Sequence, residues 1–182
     1  MNVRSDTRKI RDFWLMVAAS EKGICAIAPS LRSKRESEER FRRCRLPLES
    51  PASDGGGGVT SSETAVDATI AEAFEQLAQY FDGRRRIFDL PLDLSAGTDF
   101  QQAVWRGCRE VAFGATESYG GLARRIGRPG AMRAVGGALG ANPIPIVVPC
   151  HRIVRSDGAL GGFGGGLDMK RRLLDLEGVG PT

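Results

Sequence analysis

The sequence predicts an α+β protein in two parts: a small α/β N-terminal domain over residues 1–94 and a mostly helical C-terminal domain over residues 95–182. Three observations predict it. Two apolar runs, FWLMVAA and ICAIA, flank the turn-like Ser20-Glu21-Lys22-Gly23, the pattern of a β-hairpin. Helical apolar periodicity begins only after them, at Val66. Near the middle of the second half, Gly127-Arg128-Pro129-Gly130 separates two short helical stretches, as in a helix-turn-helix. The chain has 182 residues, 41% hydrophobic and 26% charged, which excludes a disordered or fibrous protein and large multidomain machinery.

Taken in order, the hairpin over Phe13–Ala28 is core. Residues 30–45 are densely charged and fit a short surface helix. Residues 47–63 centre on Gly55-Gly56-Gly57-Gly58 and read as a flexible loop. The run lacks the Gly-Lys-Ser/Thr ending and the preceding strand of a phosphate loop. Thr64–Asp82 is a helix, with Val66, Ile70, Phe74, Leu77 and Phe81 on one face and Gly83 as its stop. Ile87–Leu94 is extended, and Pro91 argues for an edge or a connection.

In the second half, Thr98 caps a helix with Phe100, Val104, Trp105, Cys108 and Val111 facing inward. Ser118 caps a short helix through Ile126, and Ala131–Gly140 forms the second helix of the pair. That helix is rich in Ala and Gly, so it can approach another surface closely. Arg133 in its first turn opposes the helix dipole, which a partner outside the chain would explain; a surface arginine solvated by water is the plainer alternative. Asn142 to Arg152 carries three prolines and makes a stiff tether rather than a sheet strand. Ile153-Val154 and Ala159-Leu160 flank Arg155-Ser156-Asp157-Gly158, a second hairpin signal. A glycine-rich run, Gly161–Gly166, then leads to a closing helix, Leu167–Leu176.

The formal charge is +4, and all of the excess lies from Gly97 onward. Between Tyr119 and Arg155 stand six arginines (Arg124, Arg125, Arg128, Arg133, Arg152, Arg155) and no carboxylate. One sign of charge over such a stretch suggests a polyanion, nucleic acid first; a solvated basic face is the plain alternative. No apolar run reaches the ~20 residues of a membrane span, and the charged N-terminus is unlike a signal peptide. A soluble, intracellular protein with reduced thiols is expected. The four cysteines form no C-x-x-C pair and there is one histidine, so a zinc-finger site is not supported. Cys25, Cys44 and Cys108 have structural explanations. Cys150 differs: it sits beside the only imidazole, His151, in an acid-free basic segment, conditions that lower a thiol pKa and favour nucleophilic attack. In an extended chain neighbours point apart, so a direct Cys–His bond needs a turn or a bridging water.

From Gly97 to Gly178 the sequence resembles the O6-alkylguanine-DNA alkyltransferases (methylated-DNA-protein-cysteine methyltransferases). The likeness runs through GTDFQQAVWRGCREVAFGATESYGGLA, RAVGGALGANPIPIVVPCHRIV and SDGALGGFGGGLDMKRRLLDLEG. Pro-Cys-His-Arg with its upstream Asn-Pro is the most specific part, and the N-terminal half matches only in outline, through EKGICAI and LDLPLDLSAGT. The resemblance implies a ribonuclease H-like N-terminal sheet and a winged-helix-like C-terminal domain. It implies that Cys150 accepts the alkyl group and that His151 acts through a bound water as base, oriented by Glu177. Asn142 would brace the site, and Tyr119 would rotate the nucleotide phosphate and donate a proton toward guanine N3. Arg133 would fill the space of the extruded base, with Ala131, Ala134, Gly136 and Arg152 on the DNA-facing surface. Ile153, Pro145, Phe163 and Gly164 would line the substrate pocket.

The implied function is DNA repair. O6-alkylguanine, chiefly O6-methylguanine, is flipped from duplex DNA through the minor groove and its alkyl group passes irreversibly to Cys150, once per molecule. No metal or cofactor is expected. The expected partner is double-stranded DNA carrying the lesion, acted on by a monomer with no membrane association in the cytoplasm, or in the nucleus of a eukaryote. A non-catalytic lesion-recognition or regulatory DNA-binding protein is the alternative, although such relatives lack the cysteine that is present here. A cysteine hydrolase is a third, disfavoured because no further polar site residues cluster near the box. Two departures stand out: Phe163 where the family commonly has tyrosine, and Gly164 where serine is frequent. Together they make a looser wall. The zinc site some relatives carry in the N-terminal domain cannot be rebuilt with His151 as the only histidine.

Overall fold

The computed structural model describes residues 3–42 and 61–180. It divides into two compact units, Met1–Asp93 and Leu94–Thr182. Most of the glycine-rich stretch expected to be a loop lies outside the described residues, as does Cys44.

The first unit is an antiparallel sheet of β1 (Arg4–Ile10), β2 (Phe13–Ser20) and β3 (Gly23–Ser30), in that order. The hairpin read from the two apolar runs is β2–β3. β1 goes beyond the reading of the sequence: RSDTRKI is too polar to signal a strand, and its pairing with β2 brings it into the sheet. The alternation of β2 divides the core between two helices. Met16 and Ala18, with Ala26 and Ala28 of β3, meet Phe41 of α1 (Lys34–Arg42). Phe13, Leu15 and Val17 point to the other face, where Phe13 stacks on Phe81 of α2 (Ser61–Phe81) with ring centroids 4.3 Å apart. α2 begins three residues before the expected Thr64. Its first turn, with Glu63 favourably placed at the dipole's positive end, precedes the first apolar position and so carries no periodic signal.

Residues 87–94 form no regular strand, but they run along the start of β3. Ile24 N–H donates to Pro91 O at 2.8 Å, Asp93 N–H donates to Ile24 O at 2.8 Å, and Ile24 bridges Leu92 in parallel. Asp93 is held by the Ser20 hydroxyl at 2.7 Å. Gly23 makes this approach possible, at φ +132°, because a Cβ there would lie 2.3 Å from Pro91 O.

The second unit is mostly helical: α3 (Asp99–Arg109), α4 (Tyr119–Arg125), α5 (Met132–Gly140) and α6 (Leu167–Leu176), with two short strands, β4 (Glu117–Ser118) and β5 (Ile153–Val154). Thr98 and Ser118 cap α3 and α4 as expected. Thr98 forms a full capping box with Gln101, and the Ser118 hydroxyl accepts from Gly121 N–H at 2.9 Å. α4 and α5 make the helix-turn-helix, and α5 is fastened to α3 by Trp105 Nε1–H donating to Ala138 O at 2.8 Å. The second hairpin expectation needs correction. Arg155 N–H does bond Ala159 O across a turn, but the partner of Ile153-Val154 is β4, in parallel register. Turn chemistry identified the reversal correctly; the strand's partner lay 36 residues upstream, where local sequence carries no trace of it. Among the described residues no helix is long and apolar enough to cross a membrane.

Gly23→Ala should destabilise the first unit by about 1–3 kcal/mol, the usual range for forced overpacking, read as a lower midpoint in urea unfolding. An unchanged midpoint would show that residues 91–93 do not lie against β3.

Candidate active site

The tether from Asn142 to Pro149 forms a tight reversal rather than a sheet strand, as its prolines predicted, and carries a strained residue. Ile146 is fully buried with φ +78°, a conformation that a β-branched residue adopts only under tertiary constraint. The tight reversal is held by Val148 N–H donating to Ile144 O at 2.9 Å and by a bridge between Pro145 and Val148. Asn142 closes it. Its Oδ1 accepts from Ile144 N–H at 3.0 Å, and its Nδ2–H groups donate to Val148 O at 3.0 Å and to Cys150 Sγ at 3.1 Å.

Cys150, His151 and Arg152 then form one 3-10 turn. The turn lets consecutive residues serve one site without a direct Cys–His bond. Cys150 meets Asn142, while His151 reaches Glu177, just past α6, with Nε2 2.8 Å from Oε1. Arg152 grips the same carboxylate with two N–H donors, each at 2.9 Å, and donates a third to Val111 O at 2.7 Å. Gly114 N–H adds a longer bond to Glu177 at 3.3 Å. All three side chains are buried.

This geometry fixes the histidine's tautomer. An ionised carboxylate only accepts, so Nε2 carries the proton and Nδ1 presents its lone pair. Nδ1 is buried and has no hydrogen-bond partner among the described residues. Burial pushes the His151 pKa below its ordinary value, Glu177 opposes that, and Arg152 adds to the lowering. A neutral imidazole with a free Nδ1 has the protonation state a general base requires.

The thiol behaves otherwise than its basic neighbourhood suggests. Burial pushes Cys150 up to about 11; the Asn142 amide, the charge of Lys170 and nearby backbone N–H groups oppose this without overcoming it. The resting group is a thiol. The six arginines of the basic stretch are paired or exposed. Arg152 is bound to Glu177, Arg125 pairs with Glu117 at 2.9 Å and Glu110 at 3.2 Å, Arg155 lies 3.5 Å from Asp157, and Arg124, Arg128 and Arg133 are exposed. Arg152 is therefore corrected from a DNA-facing residue to a buried anchor: all three nitrogens of its guanidinium bond partners inside the unit.

Cys150 opens onto a cleft of about 460 Å³ that it shares with Tyr119 at the start of α4, with Met132, Gly136, Leu139 and Gly140 of α5, and with Gly162, Phe163 and Gly164. Burial raises the Tyr119 pKa, the neighbouring Cys150 adds to this, and a backbone hydrogen bond from Gly162 opposes it. The cleft thus brings Cys150, Tyr119, Gly136, Phe163 and Gly164 together. Arg133 and Ala134 lie exposed on α5 and Ala131 is half-buried just before it. Two expected pocket residues do not line the cleft: Ile153 is fully buried in β5, and Pro145 is occupied in the reversal. Among the described residues no three His, Cys, Asp or Glu side chains are grouped to hold a metal.

Sequence reasoning missed Lys170. It is fully buried on α6 and donates to Ile153 O at 2.5 Å, to Leu160 O, and at 3.5 Å to Gly162 O. A signal existed: Lys170, Leu173, Leu174 and Glu177 stand at i, i+3, i+4 and i+7, so both charged residues belong to the buried stripe. Met132 and Leu139 were also placed on α5 without being assigned to a cleft.

A helix-turn-helix backed by a buried cysteine, and by a histidine ordered by a carboxylate, defines a class of nucleic-acid-type scaffold with a potential nucleophile set behind it. Comparison with known proteins gives it a family. Residues 99–179 match the model for the 6-O-methylguanine DNA methyltransferase DNA binding domain, and residues 14–94 match that for the 6-O-methylguanine DNA methyltransferase ribonuclease-like domain. A methylated-DNA–protein-cysteine methyltransferase of Mycolicibacterium paratuberculosis is 55% identical over 108 residues, 59% of this chain and 65% of that protein. The alignment therefore spans just under two thirds of that relative's length. One from Methanosarcina acetivorans is 49% identical over 107 residues, 59% of this chain and 68% of its own. A crystal structure of Mycobacterium tuberculosis O6-methylguanine methyltransferase superposes with TM-score 0.73 at 36% identity, covering 96% of this chain and 92% of that one. Another, of the Mycobacterium tuberculosis OGT in complex with DNA, gives 0.72 at 35% identity over 100% and 96%. The chain belongs to the 6-O-methylguanine DNA methyltransferase family.

Arg152→Met leaves the buried Glu177 carboxylate without its bidentate cation. It should lower stability by about 3–5 kcal/mol, as breaking a buried ion pair does, measured by denaturant unfolding. A loss below 1 kcal/mol would mean that Glu177 does not depend on this pair.

Proposed function

We propose that the protein repairs DNA by taking the alkyl group from O6 of a guanine, chiefly a methyl group, onto Cys150, once per molecule. The observation that carries this reading is the cleft in which one buried thiol, braced by Asn142, faces Tyr119 and the small-residue surface of α5. The alkyl carbon is out of reach inside a base stack, so the nucleotide must be extruded. In this reading α5 approaches the minor groove through Ala131, Ala134 and Gly136 and Arg133 fills the vacated space, while Tyr119 turns the phosphate.

The reaction is a single displacement. The Cys150 proton passes through a bridging water to His151 Nδ1, and Glu177 stabilises the imidazolium that results. The sulfur lone pair forms the S–C bond as the C–O6 bond breaks, with its electrons passing to the guanine. Tyr119 gives the departing base a proton at N3. The balance requires no oxidant, metal or cofactor. A thioether has no good leaving group, so Cys150 is not regenerated. Every group named lies in one chain, which suits a monomer, and a DNA substrate implies action in the cytoplasm, or in the nucleus of a eukaryote.

Incubation with a duplex containing O6-methylguanine should raise the protein's mass by about one methyl group (~14 Da) through its nucleophilic cysteine, and Cys150→Ala should gain nothing. Retained duplex binding with no mass gain in the parent protein would favour lesion recognition without transfer. Arg133→Ala should slow transfer from duplex DNA at least tenfold while its rate with free O6-benzylguanine stays within twofold. An equal fall in both would make Arg133 structural rather than a duplex contact.

A further inference from the structure

With Arg152 buried on Glu177, fewer cations of the basic stretch face outward than its sequence suggests. Arg125 and Arg155 are also matched with carboxylates of their own unit. Arg124, Arg128 and Arg133 are exposed and make no ion pair among the described residues. Arg133 fills the vacated space in the reading above, and Arg128 lies in the turn between α4 and α5. Arg124 differs from both in where its guanidinium lies. A cation in the last turn of a helix is ordinarily favoured beside the terminal carbonyls. The Arg124 side chain instead reaches back one turn, over Gly120: a Cβ built on Gly120 would be 3.7 Å from Arg124 Nη1 and 3.3 Å from Met132 Sδ.

Helical side chains lean toward the N-terminus and residues four apart share a face, so the missing side chain at Gly120 is what opens this seat. Met132 closes it from α5. It stands in the first turn of α5, is 55% exposed, and lines the Cys150 cleft together with Tyr119, the residue before Gly120. Its thioether supports the arginine from the side without neutralising it, as an apolar surface does for a long cationic side chain. An uncompensated cation is thereby held at the rim of the cleft. We propose that Arg124 is a duplex-binding residue: its guanidinium holds a backbone phosphate of the DNA beside the extruded nucleotide, while Gly120 and Met132 keep it at the rim. The partner chemistry follows from the place, because a strand delivering a nucleotide to Cys150 must run its phosphates past this rim. Such a contact positions a duplex without reading its sequence. The inference rests on the DNA-repair reading above and adds a contact to it.

The test measures binding of a short undamaged duplex by fluorescence anisotropy between about 50 and about 200 mM salt. Each phosphate contact contributes roughly 0.9 to the slope of log K against log salt concentration. Arg124→Gln should therefore make the slope shallower by about one and weaken binding roughly threefold or more, to the same extent whatever the duplex sequence. Arg124→Lys restores the charge and should keep the parent's slope, which distinguishes loss of a phosphate contact from damage to the fold. Arg35→Gln removes one charge from α1 of the first unit, where that side chain is 88% exposed, and should leave the slope unchanged. A parental slope in Arg124→Gln overturns the proposal. So does an equal change in Arg35→Gln, which would trace the effect to net charge, or a change in Arg124→Lys as large as that in Arg124→Gln. A parent that binds no duplex even at low salt refutes the DNA-repair reading itself, on which the proposal stands.

Discussion

A carboxylate buried as deeply as that of Glu177 remains ionised only when cations and hydrogen bonds surround it, and satisfying it draws the second unit together. Arg152 contributes two N–H donors, His151 contributes Nε2–H, and Gly114 closes from the loop after α3. Arg152 also reaches Val111 O at the end of α3, so one guanidinium joins the end of α6, the Cys150 turn and the α3 exit. Removing any of these leaves a charge without its partner, and that penalty is what makes the arrangement specific. The catalytically useful consequence is indirect. Because Glu177 can only accept, His151 is left with one tautomer and an Nδ1 that has no partner among the described residues.

The tether supplies the opposing constraint. Ile146 is held in a left-handed conformation, which costs of order 1–3 kcal/mol, and it persists because Asn142 bonds both sides of the reversal and prolines at 145 and 149 restrict the alternatives. The strain and the brace have one common product, the direction of Cys150 Sγ. Asn142 touches the sulfur and the backbone that carries it, so the thiol's position and its hydrogen bond are set by the same side chain. The wall across the cleft is built differently, from flexible glycine backbone held from outside by Tyr119 and Lys170.

What was legible in the sequence follows the range of the interactions. Helix caps at Thr98 and Ser118, the stop after α2, the β2–β3 hairpin and the irregular, non-strand course of the Pro-rich tether are all encoded within a few residues, and each is present. β1 was not legible, because its polar residues gain their strand character from pairing with β2. Nor was the parallel β4–β5 pairing, which joins residues far apart in the chain. In the site, Cys150, His151, Glu177 and Asn142 were recognisable through the Pro-Cys-His-Arg box and the family resemblance. The misplacement of Arg152 has a plain cause: a run of arginines looks uniform in sequence, while burial sorts them one at a time. Lys170 drew no reading from the sequence, although its spacing put it on the buried stripe.

The raised thiol pKa alters how the site's chemistry should be understood. Sequence suggested a cysteine activated in advance by its basic surroundings; in the structure burial pushes the thiol up to about 11, beside an imidazole whose Nδ1 has no partner among the described residues. A thiolate exposed to every passing electrophile would be a poor design for a protein proposed to react once, because each chance alkylation would be final. Keeping the proton until a base occupies the cleft ties activation to occupancy. In the proposed reaction substrate entry brings the alkyl carbon to the sulfur, and the proton passes through the bridging water toward His151 as the bond forms. On this view the burial that makes Cys150 a weak acid provides selectivity, and the Glu177–His151–Arg152 cluster provides the means to overcome it at the moment of reaction.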